Sequence, residues 1–229
     1  MKHSFHTLLC ISTVAFITSS CTSTMINMAH KVDERDQASK QKGTQSFAQK
    51  EHERFEALKA KGDPDGYYFL AIEFALSKRG QSTPENLSEI KRRYEEAVAK
   101  GSNDAKVALG NMLVTGDTVP FEFTNTALPL KDRDIERGLR LMSEAATASC
   151  MYKQPLFRDA QCGNIRMFNP AIKIWVLYRS GRHDRDSAQE PWVKLVPINE
   201  KLAQKWKQRR DQCEAEIEAY NRKHGCSNY

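Results

Sequence analysis

From Ser46 onward apolar residues recur at three- and four-residue steps, the period of a helix that buries one face. Helix boundaries are marked inside this pattern. Thr83 before Pro84 and Asn169 before Pro170 each join an N-capping side chain to a first turn preorganised by proline. Gly101, Gly116 and Gly181 stand where helices end, because glycine adopts the left-handed conformation that stops a helix. No segment couples strand alternation with hairpin turn residues, so the pattern predicts an all-α fold and disfavours a sheet. Beyond Gly181 the chain reads as loop to Pro197, then as a long helix from Glu200 to Arg222. Leu202, Trp206, Cys213, Ile217 and Tyr220 lie near one face of that helix, with Lys201, Lys207, Arg209 and Arg210 on the opposite one.

The helical pattern also repeats. Tyr94, Ala97, Val98, Gly101, Ala105, Leu109, Gly110, Leu113 and Gly116 form one frame: an aromatic, a small pair, a glycine, an alanine, Leu-Gly, an apolar position and a closing glycine. Small residues such as Ala97 and Gly110 let helices approach closely, while Leu109 and Leu113 fill the groove between them. Phe55, Leu58, Gly62, Gly66, Leu70, Ala71, Phe74 and Ser77 repeat the frame upstream. Downstream it returns in Asp134, Gly138, Met142, Ala145, Ala146 and Ser149, then resumes at Pro170, Ile174, Trp175, Tyr178 and Gly181. Two insertions interrupt it, at Asp117–Lys131 and between Ser149 and Pro170. The frame resembles the Sel-one-like repeat, a helix-turn-helix unit related to tetratricopeptide repeats. That resemblance implies a right-handed α-solenoid of helix-turn-helix repeats over residues 46–181. The loop and long helix of residues 182–229 would then form the polar-sided cap that such arrays need.

The N-terminal segment has a different character. Residues 1–20 carry one early charge, Lys2, then an apolar run from Leu8 to Ile17, too short for a permanent membrane span and about right for a signal peptide. Thr18, Ser19 and Ser20 precede Cys21, and small residues before a cysteine resemble the bacterial lipobox, which implies cleavage and acylation of Cys21. Ordinary secretion with a plain Cys21 thiol is the alternative. Thr22 after the cysteine, by resemblance to enterobacterial sorting, implies the outer membrane. Residues 21–45 are polar and aperiodic, a lipid-anchored flexible tether.

Six cysteines are present. Removing Cys10 with the signal and Cys21 as lipid carrier leaves Cys150, Cys162, Cys213 and Cys226, an even set that suits an oxidising periplasm. Three connectivities are open. The local pairing of Cys150 with Cys162 and Cys213 with Cys226 closes two short loops, each worth about 3 kcal/mol in the chain-entropy model. Four free thiols used as small buried apolar groups are the other reading.

Composition bounds the chemistry. At 229 residues with 40% hydrophobic content the chain can bury a core, and 11 Gly with 8 Pro exclude a collagen-like or low-complexity polymer. No apolar run is long enough for a polytopic membrane protein. The formal net charge is +6, of which the leader removes one positive charge with Lys2. In the envelope this excess points to an acidic protein partner or anionic lipid rather than nucleic acid. The positive charge concentrates in the C-terminal third, where Lys173, Arg179, Arg182 and Arg185 are the partner-binding candidates; a solvated helix face is the plainer account of such a run. His183 has acids beside it, but no Gly-rich loop accompanies the HDRD run. Nor does the chain carry a nucleophile elbow, a zinc-protease His-Glu pair or a phosphate-binding loop, and Glu95 and Glu96, being adjacent on a helix, do not converge. The expectation is a protein without enzymatic activity, cofactor or metal.

Stacked helix pairs present extended faces suited to gripping another polypeptide. Some bacterial envelope proteins with Sel-one-like repeats act as immunity partners that neutralise antibacterial effectors such as type VI-delivered phospholipases. The resemblance therefore implies a periplasm-facing envelope lipoprotein that binds another protein as such an immunity protein. An adaptor or assembly factor for an envelope complex, or an accessory to a glycan- or lipid-acting enzyme, are the alternatives.

Overall fold

The structure is a computed structural model that describes residues 47–121, 126–155, 165–182 and 194–225. The chain falls into two units, Met1–Lys50 and Glu51–Tyr229. Of the first, residues 47–50 are described, as helix; apart from them, everything below lies in the second. The leader, the tether with Cys21, and Cys162, Arg185 and Cys226 lie outside the described residues.

Helix α1 covers residues 47–60. It is followed by α2 (Pro64–Ser77), α3 (Pro84–Ala99), α4 (Asn103–Thr115), a 3-10 turn (Leu130–Asp132), α5 (Ile135–Ala148), strands β1 (Tyr152–Pro155) and β2 (Ile165–Phe168), α6 (Ala171–Ser180) and α7 (Glu200–His224). The fold is mainly helical, as the apolar periodicity predicts. Two turns are built alike. Gly62 (φ 74°) precedes Asp63, whose carboxylate accepts from the Asp65 N–H, and Gly101 (φ 97°) precedes Ser102, whose hydroxyl accepts from the Ala105 N–H. In each, glycine supplies the left-handed step and the next residue caps the following helix.

Thr83 caps α3 with Pro84 in its first turn, as the sequence indicates. The N-cap of α6 is Pro170 rather than Asn169; Asn169, one residue earlier, accepts from the Ala171 N–H at 3.0 Å, and its amide donates to the Arg210 carbonyl at 2.8 Å, which ties the start of α6 to α7. Gly116 and Gly181 end α4 and α6 in the left-handed region. Asn199 caps α7 by accepting from the Leu202 N–H, and the helix runs two residues past its expected end before Gly225 stops it.

Helix α2 packs on α3, α3 on α4, α4 on α5, and α6 on α7. One apolar cluster joins Phe55, Phe69, Ile72, Ile90, Tyr94, Leu109, Met112 and Leu113. Each such fully buried side chain contributes roughly 1.5–3 kcal/mol relative to leaving it in water. A second cluster, around Val114, Met142, Ile174, Leu177 and Trp206, holds α5, α6 and α7 together. Tyr94, the aromatic that opens the repeat frame, is buried and donates its hydroxyl to the Thr118 carbonyl at 2.8 Å. No helix of the described residues is long and apolar enough to cross a membrane.

Two expectations are corrected. The segment between Ser149 and Pro170 contains a two-stranded antiparallel hairpin, with Tyr152 opposite Phe168 and Gln154 opposite Arg166. The strands are only four residues long, and buried Gln154 stands on the inward face beside Tyr152, where alternation calls for an apolar residue. That polar residue erased the strand signal. The local cysteine pairing is also replaced: Cys150 is bonded to Cys213, 63 residues away, with a Cα–Cα distance of 4.8 Å. The inward stripe of α7 places Cys213 in the interior beside the end of α5, so the bond joins α7 to the body rather than closing a short loop.

Candidate functional site

The basic candidates separate into two environments. Lys173, read as a partner-binding residue, is withdrawn from the surface: it is 4% exposed, and its ammonium lies 5.0 Å from the centre of the Phe121 ring. It belongs to the inward face of α6, next to Ile174, so its charge is used internally. Arg179 and Arg182 are exposed at the C-terminal end of α6. Arg185 lies beyond the described residues.

Arg179 joins a cluster at the α6–α7 seam. Its guanidinium stands 4.6 Å from the Trp175 ring, and that of Arg210, from α7, stands 4.1 Å from the same ring. Trp175 is half-buried, packed against the second apolar cluster on one side and approached by two cations. Arg210 is drawn toward Asp211 and Glu214, whereas Arg179 makes no ion pair among the described residues. Arg209 also turns inward, donating to the Ala146 and Thr147 carbonyls at 3.0 and 3.2 Å and so capping the C-terminus of α5. Arg209 and Arg210 are therefore seam residues, and the opposite, solvated face of α7 keeps Lys201 and Lys207.

A second polar junction lies where β1 meets the first turns of α2 and α4. The Lys153 ammonium is held between Asp65, with which it makes a short contact, and Asp104 at 3.7 Å. The Lys153 N–H donates to Asp104 at 3.1 Å, and Tyr68 donates its hydroxyl to the Lys153 carbonyl at 2.8 Å. Burial pushes the Asp104 carboxyl up to about 7, against the pull of Lys153. Burial works in the opposite sense on Lys153, yet Asp65 and Asp104 outweigh it and hold the ammonium above its usual value. Burial likewise drives the Tyr68 and Tyr94 phenols well up. This junction is a structural clasp: Asp104 is 4% exposed and carries two bonds to the strand it holds.

The remaining perturbed groups are on the surface. Hydrogen bonds from Arg92 and Arg93 hold the Glu89 carboxyl down at about 2, and a hydrogen bond to Glu73 raises His52. Among the described residues no group of three His, Cys, Asp or Glu side chains is placed to hold a metal.

Compared with protein-family models, with curated proteins and with solved structures, the chain matches none.

The geometry brings Arg179 to an aromatic seam, removes Lys173 from consideration and joins Cys150 with Cys213. Sequence reasoning missed the aromatic–cation arrangement. Tyr67 and Phe74 of α2 are half-buried, and each lies under two cations: Lys59 and Lys100 over Tyr67, Lys78 and Arg93 over Phe74. The i, i+7 spacing of the two rings was visible in the sequence; the second helix that supplies Arg93 and Lys100 was not.

Proposed function

We propose that the protein is an envelope-anchored protein-binding scaffold: a right-handed α-solenoid of Sel-one-like repeats, closed by α7 as a cap, that binds and neutralises an antibacterial effector. Several features support the repeat reading. The α1–α2 and α3–α4 turns share a left-handed glycine followed by a capping residue, and the frame residues Gly110 and Gly138 sit where α4 and α5 touch. The observation that carries the binding role is the seam at Trp175, a half-buried tryptophan between Arg179 and Arg210 with Arg182 exposed nearby. Tryptophan and arginine together are the residues that dominate binding energy at protein interfaces. The effector as partner, and the lipid anchor at Cys21, follow from resemblance to envelope proteins of this repeat type.

The test is capture of the cognate protein from envelope extract by wild type and by the Arg179→Glu, Arg182→Glu double variant, with binding measured at two salt concentrations. The reversal is expected to slow association at low salt while leaving the helical signal intact. Unchanged affinity and association rate would make the α6 end an ordinary solvated surface. A captured secretion or cell-wall component in place of an effector would favour the adaptor reading.

A further inference from the structure

We propose that the face formed by α2 and α3, separate from the α6–α7 seam, is a dock for an acidic polypeptide segment. The inference deepens the scaffold reading and rests on it, because it names the chemistry of the partner.

Tyr67 and Phe74 lie on one face of α2, two turns or about 10.5 Å apart along its axis. Lys59 and Lys100 stand 5.4 and 5.3 Å from the Tyr67 ring centre; Lys78 and Arg93 stand 5.2 and 4.2 Å from that of Phe74. A ring's quadrupole attracts a cation without cancelling its charge. At Tyr67 neither Lys59 nor Lys100 has its charge cancelled by the ring, and at Phe74 the same holds for Lys78. Among the described residues, Lys59, Lys78 and Lys100 make no ion pair, whereas Arg93 is paired with Glu89. The rings also fix where the ammonium groups sit, which lowers the ordering cost of binding.

The spacing selects the occupant. Acids seven residues apart on a helix share one face, lie about 10 Å apart and match the spacing of the two rings. A carboxylate brought to each ring would meet ammonium groups that no acid among the described residues pairs, Lys59 and Lys100 at Tyr67 and Lys78 at Phe74, and accept charge-assisted hydrogen bonds there. The surrounding charge argues against a nucleic acid or an anionic membrane. Along α3 the face reads Glu89, Arg93, Glu96, Lys100, so acids alternate with bases. A uniformly negative rod or sheet would meet those carboxylates, while a polypeptide can place its own basic residues opposite them. Between core packing and overlying cations, neither ring keeps an open face for a base to stack on.

The probe is a fluorescently labelled oligoglutamate, titrated against the purified protein at low and at physiological salt. Saturable binding that weakens with salt is expected. Lys59→Glu with Lys100→Glu should reduce affinity about tenfold, and Arg179→Glu with Arg182→Glu should leave it unchanged. If the double reversal does not fold, Lys59→Gln with Lys100→Gln serves and should weaken binding in the same direction. Equal affinity in wild type and in either α2–α3 variant overturns the proposal. So does equal loss in the Arg179, Arg182 variant, which would mark diffuse charge attraction, or tighter binding of a single-stranded oligonucleotide or of phosphatidylglycerol vesicles to this face. Capture of the cognate protein that persists while oligoglutamate ignores the lysines would remove this dock and leave the scaffold reading standing. Oligoglutamate binding with no cognate protein captured would do the reverse.

Discussion

Gly110 of α4 and Gly138 of α5 lie against each other: a Cβ at 110 would sit 2.7 Å from the Gly138 carbonyl oxygen, and a Cβ at 138 would sit 2.8 Å from that of Gly110. The two backbones are in reciprocal contact, with no side chain between them. Met142 closes the gap beside Gly110, where a Cβ would come within 2.5 Å of its Cγ. Small residues at the contact set a short interaxial distance, and everything α5 carries is positioned by it.

Substitution at Gly110 sets two effects against each other. Alanine gains about 1 kcal/mol of helix propensity, and overpacking against a backbone carbonyl costs about 1–3 kcal/mol. The carbonyl cannot move aside as a flexible side chain would, so Gly110→Ala is expected to destabilise slightly and Gly110→Leu by several kcal/mol. Urea denaturation of the three proteins checks this. A leucine variant as stable as wild type would mean that α4 and α5 do not approach so closely in solution.

Legibility from sequence followed the range of the interaction that decides each feature. Thr83, Gly101, Gly116 and Gly181 act within one turn of chain, and the structure uses each as its local chemistry dictates, while the cap expected of Asn169 falls one residue later, on Pro170. Gly110 and Gly138 were visible as frame positions; that they touch each other required two helices and a loop to be placed. Distant partners were not legible. Cys150 finds Cys213 only because the stripe Ala203, Trp206, Cys213 turns inward along α7. Lys173 looked like part of a basic face, and its burial depends on Phe121, which the loop after α4 delivers with φ at 64°. The hairpin was hidden by Gln154 and by strands too short to show a period.

The Cys150–Cys213 bond spans 63 residues and so includes the hairpin, α6 and the start of α7 in its loop. A loop of that size corresponds to about 4 kcal/mol in the chain-entropy model. Reduction, or replacement of both cysteines by serine, is expected to lower Tm by several degrees. Peptide mapping under non-reducing conditions should recover Cys150 linked to Cys213. Recovery of Cys150 linked to Cys162 would restore the local pairing and detach α7 from the body.

Anchoring can be tested apart from folding, since Cys21 precedes the second unit. Wild-type protein is expected to partition into detergent with the membrane fraction. Cys21→Ser should appear as a soluble periplasmic species with an unchanged melting curve. Several acyl chains at about 0.8 kcal/mol per buried CH₂ leave little room for a partial result. Equal solubility of the two forms would favour ordinary secretion.

Asp104 gives the fold a pH dependence opposite in sign to ordinary acid denaturation. Its carboxyl is raised from 3.8 to about 7 because burial disfavours the anion, and Lys153 only partly offsets this. A folded state that binds the proton more tightly than the unfolded chain is stabilised at low pH. The contribution is complete below about pH 4 and disappears as pH rises through about 7, on the order of a few kcal/mol in all. Glu89 acts in the other direction. Held down at about 2 by Arg92 and Arg93, it contributes stability above pH 4.5 that is lost as pH falls toward 2. The two windows meet only near pH 4 to 4.5, so between pH 5 and pH 8 the slope belongs to Asp104 and, in the same direction, to exposed His52, which its hydrogen bond to Glu73 raises. Wild-type Tm is expected to fall across that range. Asp104→Asn keeps an oxygen to accept the Lys153 N–H and removes this titration, so its Tm should fall much less than that of wild type, with only the small slope of exposed His52 left. A wild-type Tm that rises from pH 5 to pH 8, or a slope as steep in the asparagine variant as in wild type, would mean that Lys153 keeps Asp104 ionised throughout and that the clasp is a plain ion pair.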